Sequence, residues 1–124
     1  MKAIICESFQ TPENLVVTDI TDPLPEPHEV VLKVEATGLG YVDALTVAGL
    51  YQIKPELPFI PGNEIAGTVE LLGSQVKHLR RGQRVLAMPA RGGLAEKVCI
   101  PEGNCIVLPN SISSNAAASF LVNY

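Results

Sequence analysis

The sequence predicts a mainly β fold, a barrel or sandwich of short strands. Three observations carry that reading. Ten glycines and ten prolines are spread along the 124 residues and cut the chain into short segments. Glu29–Ala36 alternates cleanly, with Val30, Leu32, Val34 and Ala36 on one face and Val31, Lys33 and Glu35 on the other. Helical spacing occurs in only two stretches, Tyr41–Ala48 and Asn115–Tyr124.

The elements follow in order. Lys2–Ile5 and Leu15–Asp19 read as strands. Pro23, Pro25 and Pro27 then make a stiff, extended connector running to His28. The alternating strand Glu29–Ala36 comes next. Tyr41–Ala48 reads as a short helix closed by Gly49. Ile65–Leu72 is strand-like and stops at Gly73-Ser74; Arg84–Met88, Leu94–Ile100 and Cys105–Leu108 are further short strands. The loop from Pro109 to Ser113 ends in good N-cap residues, so a helix over Asn115–Tyr124 is expected, with Ala116, Ala117, Phe120 and Leu121 as its apolar stripe. No glycine or basic residue caps that pattern before the sequence stops. Two readings stay open: a helix docked on its own barrel, or one end of a larger enzyme.

Bulk numbers narrow the function. Apolar residues make up 47% and charged residues 18%, a globular composition. A net charge of −4, with no basic cluster beyond Arg80-Arg81, argues against a nucleic-acid surface. No apolar run approaches the ~20 residues of a membrane-spanning helix, and the start reads as a strand, not a leader. Cys6, Cys99 and Cys105 form no C-x-x-C pair, so free thiols in a reducing, cytoplasmic setting are expected; a Cys99–Cys105 disulfide is the alternative.

Several groups could carry chemistry. Gly38-Leu39-Gly40 follows a strand and opens a helix, as a dinucleotide-binding turn does, and Glu64 lies about twenty residues on. Asp43, however, stands where the third glycine must let helix and strand pack closely, and the helix is too short for a crossover. His28 and His78 lack metal-ligand spacing and read as solvated loop residues, so no metal site is expected. Tyr41 and Tyr51 flank one helix; they either line a flat, partly apolar pocket or sit at its boundary with wet hydroxyls. Asp43 suits the first turn of its helix through the dipole. Glu64, after the stiff turn Leu57-Pro58-Phe59-Ile60-Pro61-Gly62-Asn63, is either a site acid or a structural one paired by Arg84 or Arg91.

Taken as an ordered set, Gly38-x-Gly40-Tyr41-x-Asp43, Gly49-x-Tyr51, Leu57-Pro58-Phe59-x-Pro61-Gly62-x-Glu64-x-Ala66-Gly67-x-Val69, Gly73, Val76 and Gly82-Gln83-Arg84-Val85 resemble the N-terminal domain of medium-chain dehydrogenase/reductases. The opening Met1-Lys2-Ala3 and the run from Asn115 to Ala118 fit as well. The resemblance implies one GroES-like domain over residues 1–124: a partly open β-barrel with short helices and a C-terminal helix. Zinc-dependent members carry a cysteine at the position of Gly40 and a histidine at that of Asn63, and of that set only Glu64 is present here. The chain is therefore similar to the zinc-independent quinone oxidoreductase, zeta-crystallin-like branch.

That branch implies hydride transfer from NADPH to a quinone or enone. Tyr41 and Tyr51 match its substrate pocket, and Gly40, Asn63, Glu64 and Asn123 match the edge of its cofactor cleft. Many members have asparagine where Gly40 stands; glycine removes that amide donor. The family binds its cofactor in a following Rossmann domain that this sequence does not contain. The chain alone is thus expected to be inactive as a reductase and to hold no cofactor tightly. Two other readings remain: a non-catalytic GroES-like interaction module, and a degenerate relative of the zinc alcohol dehydrogenases.

Overall fold

The computed structural model describes residues 1–120. Seven strands and two short helices make it mainly β, as the sequence predicts. In chain order they are β1 (Lys2–Ile4), β2 (Val17–Asp19), β3 (Glu29–Thr37), α1 (Tyr41–Ala48), β4 (Ile65–Leu72), β5 (Arg84–Ala87), β6 (Lys97–Pro101), β7 (Cys105–Val107) and α2 (Ser114–Ala117). Single 3₁₀ turns at Pro12–Asn14 and Glu102–Asn104, absent from the sequence reading, fill two connections. β6 begins three residues later than expected, since Ala95 forms only an isolated bridge to Ala3.

β1 and β2 form a small ribbon, and the other five strands form one sheet in the order β6-β3-β4-β5-β7. Every strand pair is antiparallel. β6 and β7 stand at the two ends, so the sheet curls into a half-barrel without closing. Its concave side holds one core, with Val30, Leu32, Ile65, Val85 and Ile100 fully buried. Each such side chain contributes about 1.5–3 kcal/mol by leaving water.

The simple alternation expected for β3 fails at its end. A register irregularity against β4 falls between Val34 and Ala36. Such an extra residue turns the strand over locally. Val34 packs on the main core, but Ala36 packs with Ala66, Ala117 and Ala118 on the outer face, beneath α2. Val31, placed on the outer face by alternation, is fully buried rather than solvated.

α2 is shorter than the expected Asn115–Tyr124 helix. It starts as predicted, with the Ser113 hydroxyl accepting the Ala116 N–H at 3.1 Å. After Ala117 the bonds tighten to i→i−3, from Ser119 to Ala116 and Phe120 to Ala117. The Ser119 hydroxyl also reaches back to the carbonyls of Ala116 and Asn115, competing with the helical ladder. The remainder of that predicted helix, including Leu121 and Val122, lies outside the described residues.

Candidate functional site

α1 organises the candidate site. Its first turn is capped by Asp43, whose carboxylate accepts the Gly40 N–H at 2.9 Å, so the structural reading of that acid holds. Its inner face is anchored by Val47, packed with Cys6 and Phe59, and Phe9 leans on Phe59 with ring centroids 6.5 Å apart. Gly49 closes the helix with φ 74° and delivers the chain to Tyr51.

Across from α1, the turn Pro61-Gly62-Asn63 is tied to a second loop by main-chain bonds alone. Gly92 N–H donates to the Ile60 carbonyl at 2.7 Å, Gly93 to Gly62 at 2.9 Å and Leu94 to Pro61 at 2.9 Å. The Thr37 hydroxyl fastens the same loop through the Gly93 carbonyl at 2.7 Å. Gly62 has φ 100°, and a Cβ there would lie 2.8 Å from the Leu94 nitrogen, so both its backbone angle and its surroundings call for glycine.

Between α1 and this turn lies a cleft of about 250 Å³. Val42, Ile53 and Phe59 supply apolar walls, and Tyr51, Asn63 and Arg91 supply polar groups. For scale, a cavity of about 150 Å³ holds one benzene, so the space is ring-sized. Hydrogen-bond donors around an apolar floor can receive a carbonyl oxygen and meet negative charge developing on it.

The other sequence-predicted site residues are dispersed. Tyr41 is 79% exposed and does not line this cleft. Gly40 borders a neighbouring hollow on the other side of α1, with Leu39, Ala44 and Pro61. Glu64 is only 3% exposed. Its carbonyl accepts the Gly38 N–H at 2.8 Å, and a Cβ on Gly38 would lie 2.9 Å from its Oε1 and 2.1 Å from the Ala118 carbonyl oxygen. Glu64 thus sits beneath the turn with Gly38 and Ala118, outside the Tyr51 cleft. Asn123 lies outside the described residues. Arg84, offered by the sequence as a partner for Glu64, donates to the Ile112 carbonyl at 2.7 Å and the Ser114 hydroxyl at 3.1 Å. Arg91, offered in the same role, lines the cleft instead, a placement its glycine-rich surroundings did not reveal.

The titratable groups with clear shifts lie elsewhere. Burial, and then the Glu102 charge, push the Cys105 thiol up to about 11. Burial likewise raises Cys6 and Cys99. All three cysteines are free. Lys97 lies 2.9 Å from Asp22 and 3.1 Å from Glu70; its hydrogen bond holds Asp22 below the usual carboxylate range, and its own pKa is raised by the same contacts.

Among the described residues no three His, Cys, Asp or Glu side chains converge as a metal would require. His28 and His78 are exposed. A dinucleotide fold needs parallel strands joined through a helix, whereas β3 leads through α1 into an antiparallel neighbour. No described helix is long and apolar enough to cross a membrane.

A half-open antiparallel barrel with few short helices has the architecture of a GroES-like domain. Comparison with known proteins gives the family. Residues 26–110 match the alcohol dehydrogenase GroES-like domain, and the chain belongs to that family. It is 35% identical to the quinone oxidoreductase of Lama guanicoe, an alignment covering 100% of this chain and 38% of that protein. Among solved structures, Escherichia coli quinone oxidoreductase complexed with NADPH aligns with a TM-score of 0.91 at 34% identity, over 98% of this chain and 37% of that one. The human synaptic vesicle membrane protein VAT-1 homolog-like protein aligns with a TM-score of 0.95 at 32% identity, over 99% of this chain and 40% of that one. The quinone oxidoreductase relatives belong to the medium-chain dehydrogenase/reductase superfamily, and the chain spans about 38% of the length of the first of them.

Proposed function

We propose that residues 1–124 are the substrate-side domain of a metal-free oxidoreductase that moves hydride from NADPH to a quinone or conjugated enone. The observation that carries this reading is the ring-sized cleft that Tyr51 and Asn63 line together with apolar walls. In such enzymes the nicotinamide supplies the hydride; here it is held by a separate Rossmann domain. The chain's own residues bind the flat ring, exclude water from one of its faces and donate a hydrogen bond to the carbonyl oxygen on which charge accumulates. This reading assigns the donor role to Tyr51, which lines the cleft. Gly40 and Asn63 stand where zinc-dependent relatives place thiolate and imidazole, which favours hydrogen bonding over a metal as the source of charge stabilisation. Three free thiols are consistent with a cytoplasmic protein.

Hydride transfer needs donor and acceptor held about 3–3.5 Å apart. The 124-residue chain by itself therefore turns over no quinone. NADPH oxidation with 1,4-quinones should stay at the blank rate on the purified chain, and turnover above it would refute this. A ring-shaped ligand should nevertheless shift the NMR signals of Tyr51 and Asn63; a quinone that leaves both unmoved would refute the cleft assignment.

A second reading, a non-catalytic binding module, draws support from α2. Its Ala117 and the following Ala118 are buried against the barrel at Ala66, as expected of a self-contained domain. Phe120, at 53% exposure, points the other way, toward an interface.

A further inference from the structure

The cleft wall carries two charged side chains of opposite sign, Arg91 and Asp43. Among the described residues the Arg91 guanidinium has no hydrogen-bond or ion-pair partner. The other charged side chain on the cleft wall, Asp43, has its carboxylate engaged by the Gly40 N–H at 2.9 Å. The segment that follows Arg91, by contrast, is fixed by main-chain bonds. The next three residues each donate a main-chain bond to the 60–62 segment, at 2.7, 2.9 and 2.9 Å. A solvent-exposed cation thus stands at the edge of an apolar, ring-sized space.

We propose that Arg91 selects quinones or enones bearing a carboxylate beside the reducible ring. The inference rests on the cleft being the substrate site. The apolar walls take the ring, Tyr51 faces the ring carbonyl, and the planar guanidinium receives the carboxylate through paired N–H donors. Arg91 is then a specificity-determining residue that discriminates between substrates without touching the reacting carbonyl. Its planar fork suits a carboxylate better than a lysine ammonium would, because two parallel bonds fix direction as well as charge.

The test uses the chain as it is and measures binding, with no turnover required. Two ligands are titrated and followed by ¹H–¹⁵N spectra, including the Arg91 side-chain Nε–H. One is 2,3-dimethyl-1,4-naphthoquinone, whose blocked ring positions avoid addition of thiols. The other carries a propanoate in place of one methyl. The carboxylate ligand should bind roughly 3- to 20-fold more tightly, the range between an exposed ion pair and a charge-assisted hydrogen bond. The preference should shrink with added salt. Arg91→Gln should bring the ratio of the two affinities to about one, and Arg91→Lys should keep part of it.

Equal affinities in the wild type, with Tyr51 and Asn63 still shifting, would overturn the role of Arg91 and leave the cleft assignment standing. A preference that survives Arg91→Gln would also overturn it. Failure of both ligands to bind would overturn the cleft assignment together with the inference drawn from it. Inorganic phosphate or NADP⁺ moving the Arg91 Nε–H signal, with no response to the propanoate, would reassign the cation to a phosphate and refute substrate selection.

Discussion

Replacing Gly62 by alanine tests how the cleft wall is built, because Gly82 provides an internal control. Both glycines have positive φ, 100° and 90°. A Cβ at Gly82 meets nothing within 4 Å, whereas one at Gly62 lies 2.8 Å from the Leu94 nitrogen and 3.0 Å from Gly93 carbon atoms. The positive φ alone costs about 1–2 kcal/mol for alanine. Stiffening of the unfolded chain offsets about 0.4–1 kcal/mol of this. Gly82→Ala should therefore destabilise by about 0–1.5 kcal/mol. At Gly62 the contacts are main-chain atoms that cannot rotate away, which adds about 1–3 kcal/mol of overpacking. Gly62→Ala should then cost about 1–4.5 kcal/mol, a large share of a domain stability of about 5–15 kcal/mol. Urea unfolding followed by far-ultraviolet circular dichroism measures both variants. The Gly93 amide, bonded to the Gly62 carbonyl at 2.9 Å, should also exchange faster in Gly62→Ala only. Costs for the two variants within about 0.5 kcal/mol of each other, with unchanged Gly93 exchange, would refute the close approach of the two loops.

Leu32→Ala removes a fully buried side chain from the concave core and should cost about 2–5 kcal/mol in the same unfolding measurement. Ser113→Ala removes the acceptor for the Ala116 N–H and should cost about 0.5–2 kcal/mol, seen as earlier loss of order around Ala117. Asp22 has a depressed folded-state pKa, so its contribution is present above its unfolded value, near pH 4, and fades as pH falls through the lower folded value. Lys97 has a raised one, so its contribution is present below about pH 10 and is lost at higher pH. Lys97→Met should accordingly flatten the urea midpoint at both ends; a profile identical to wild type would refute the linkage. At pH 8 the Cys105 thiol, raised to about 11, should react with iodoacetamide far more slowly than in the denatured chain, as read by mass spectrometry.

Much of the barrel was legible because period-two alternation and glycine–proline punctuation are local signals. β4 has the predicted bounds, and β3 is extended by only Thr37. Ala36 escaped that logic, since the irregularity that turns it outward exists only in the pairing with β4. The helix α1 was read correctly from Tyr41 to Ala48, because spacing and a terminal glycine suffice for a short helix. α2 was overextended, because an alanine-rich stripe says nothing of the Ser119 hydroxyl that reaches back into the ladder.

Tyr51 and Asn63, which the resemblance assigned to a substrate pocket and to a cofactor-cleft edge, line one and the same cleft. Tyr41, at the first position of α1, is exposed to solvent and does not line this cleft. Arg91 was named only as a possible mate for Glu64. Its position depends on cross-links between segments about thirty residues apart, which no local pattern encodes.

The wall opposite α1 has an architectural consequence. The loop from Arg91 to Leu94 hangs on the 60–62 segment through amide and carbonyl groups that every residue possesses. Exchanging the side chain at position 91 leaves those fastenings intact. On the proposal that Arg91 selects the ligand, chemical taste and mechanical integrity are decoupled at this rim, and a change at one codon would alter the first without renegotiating the second.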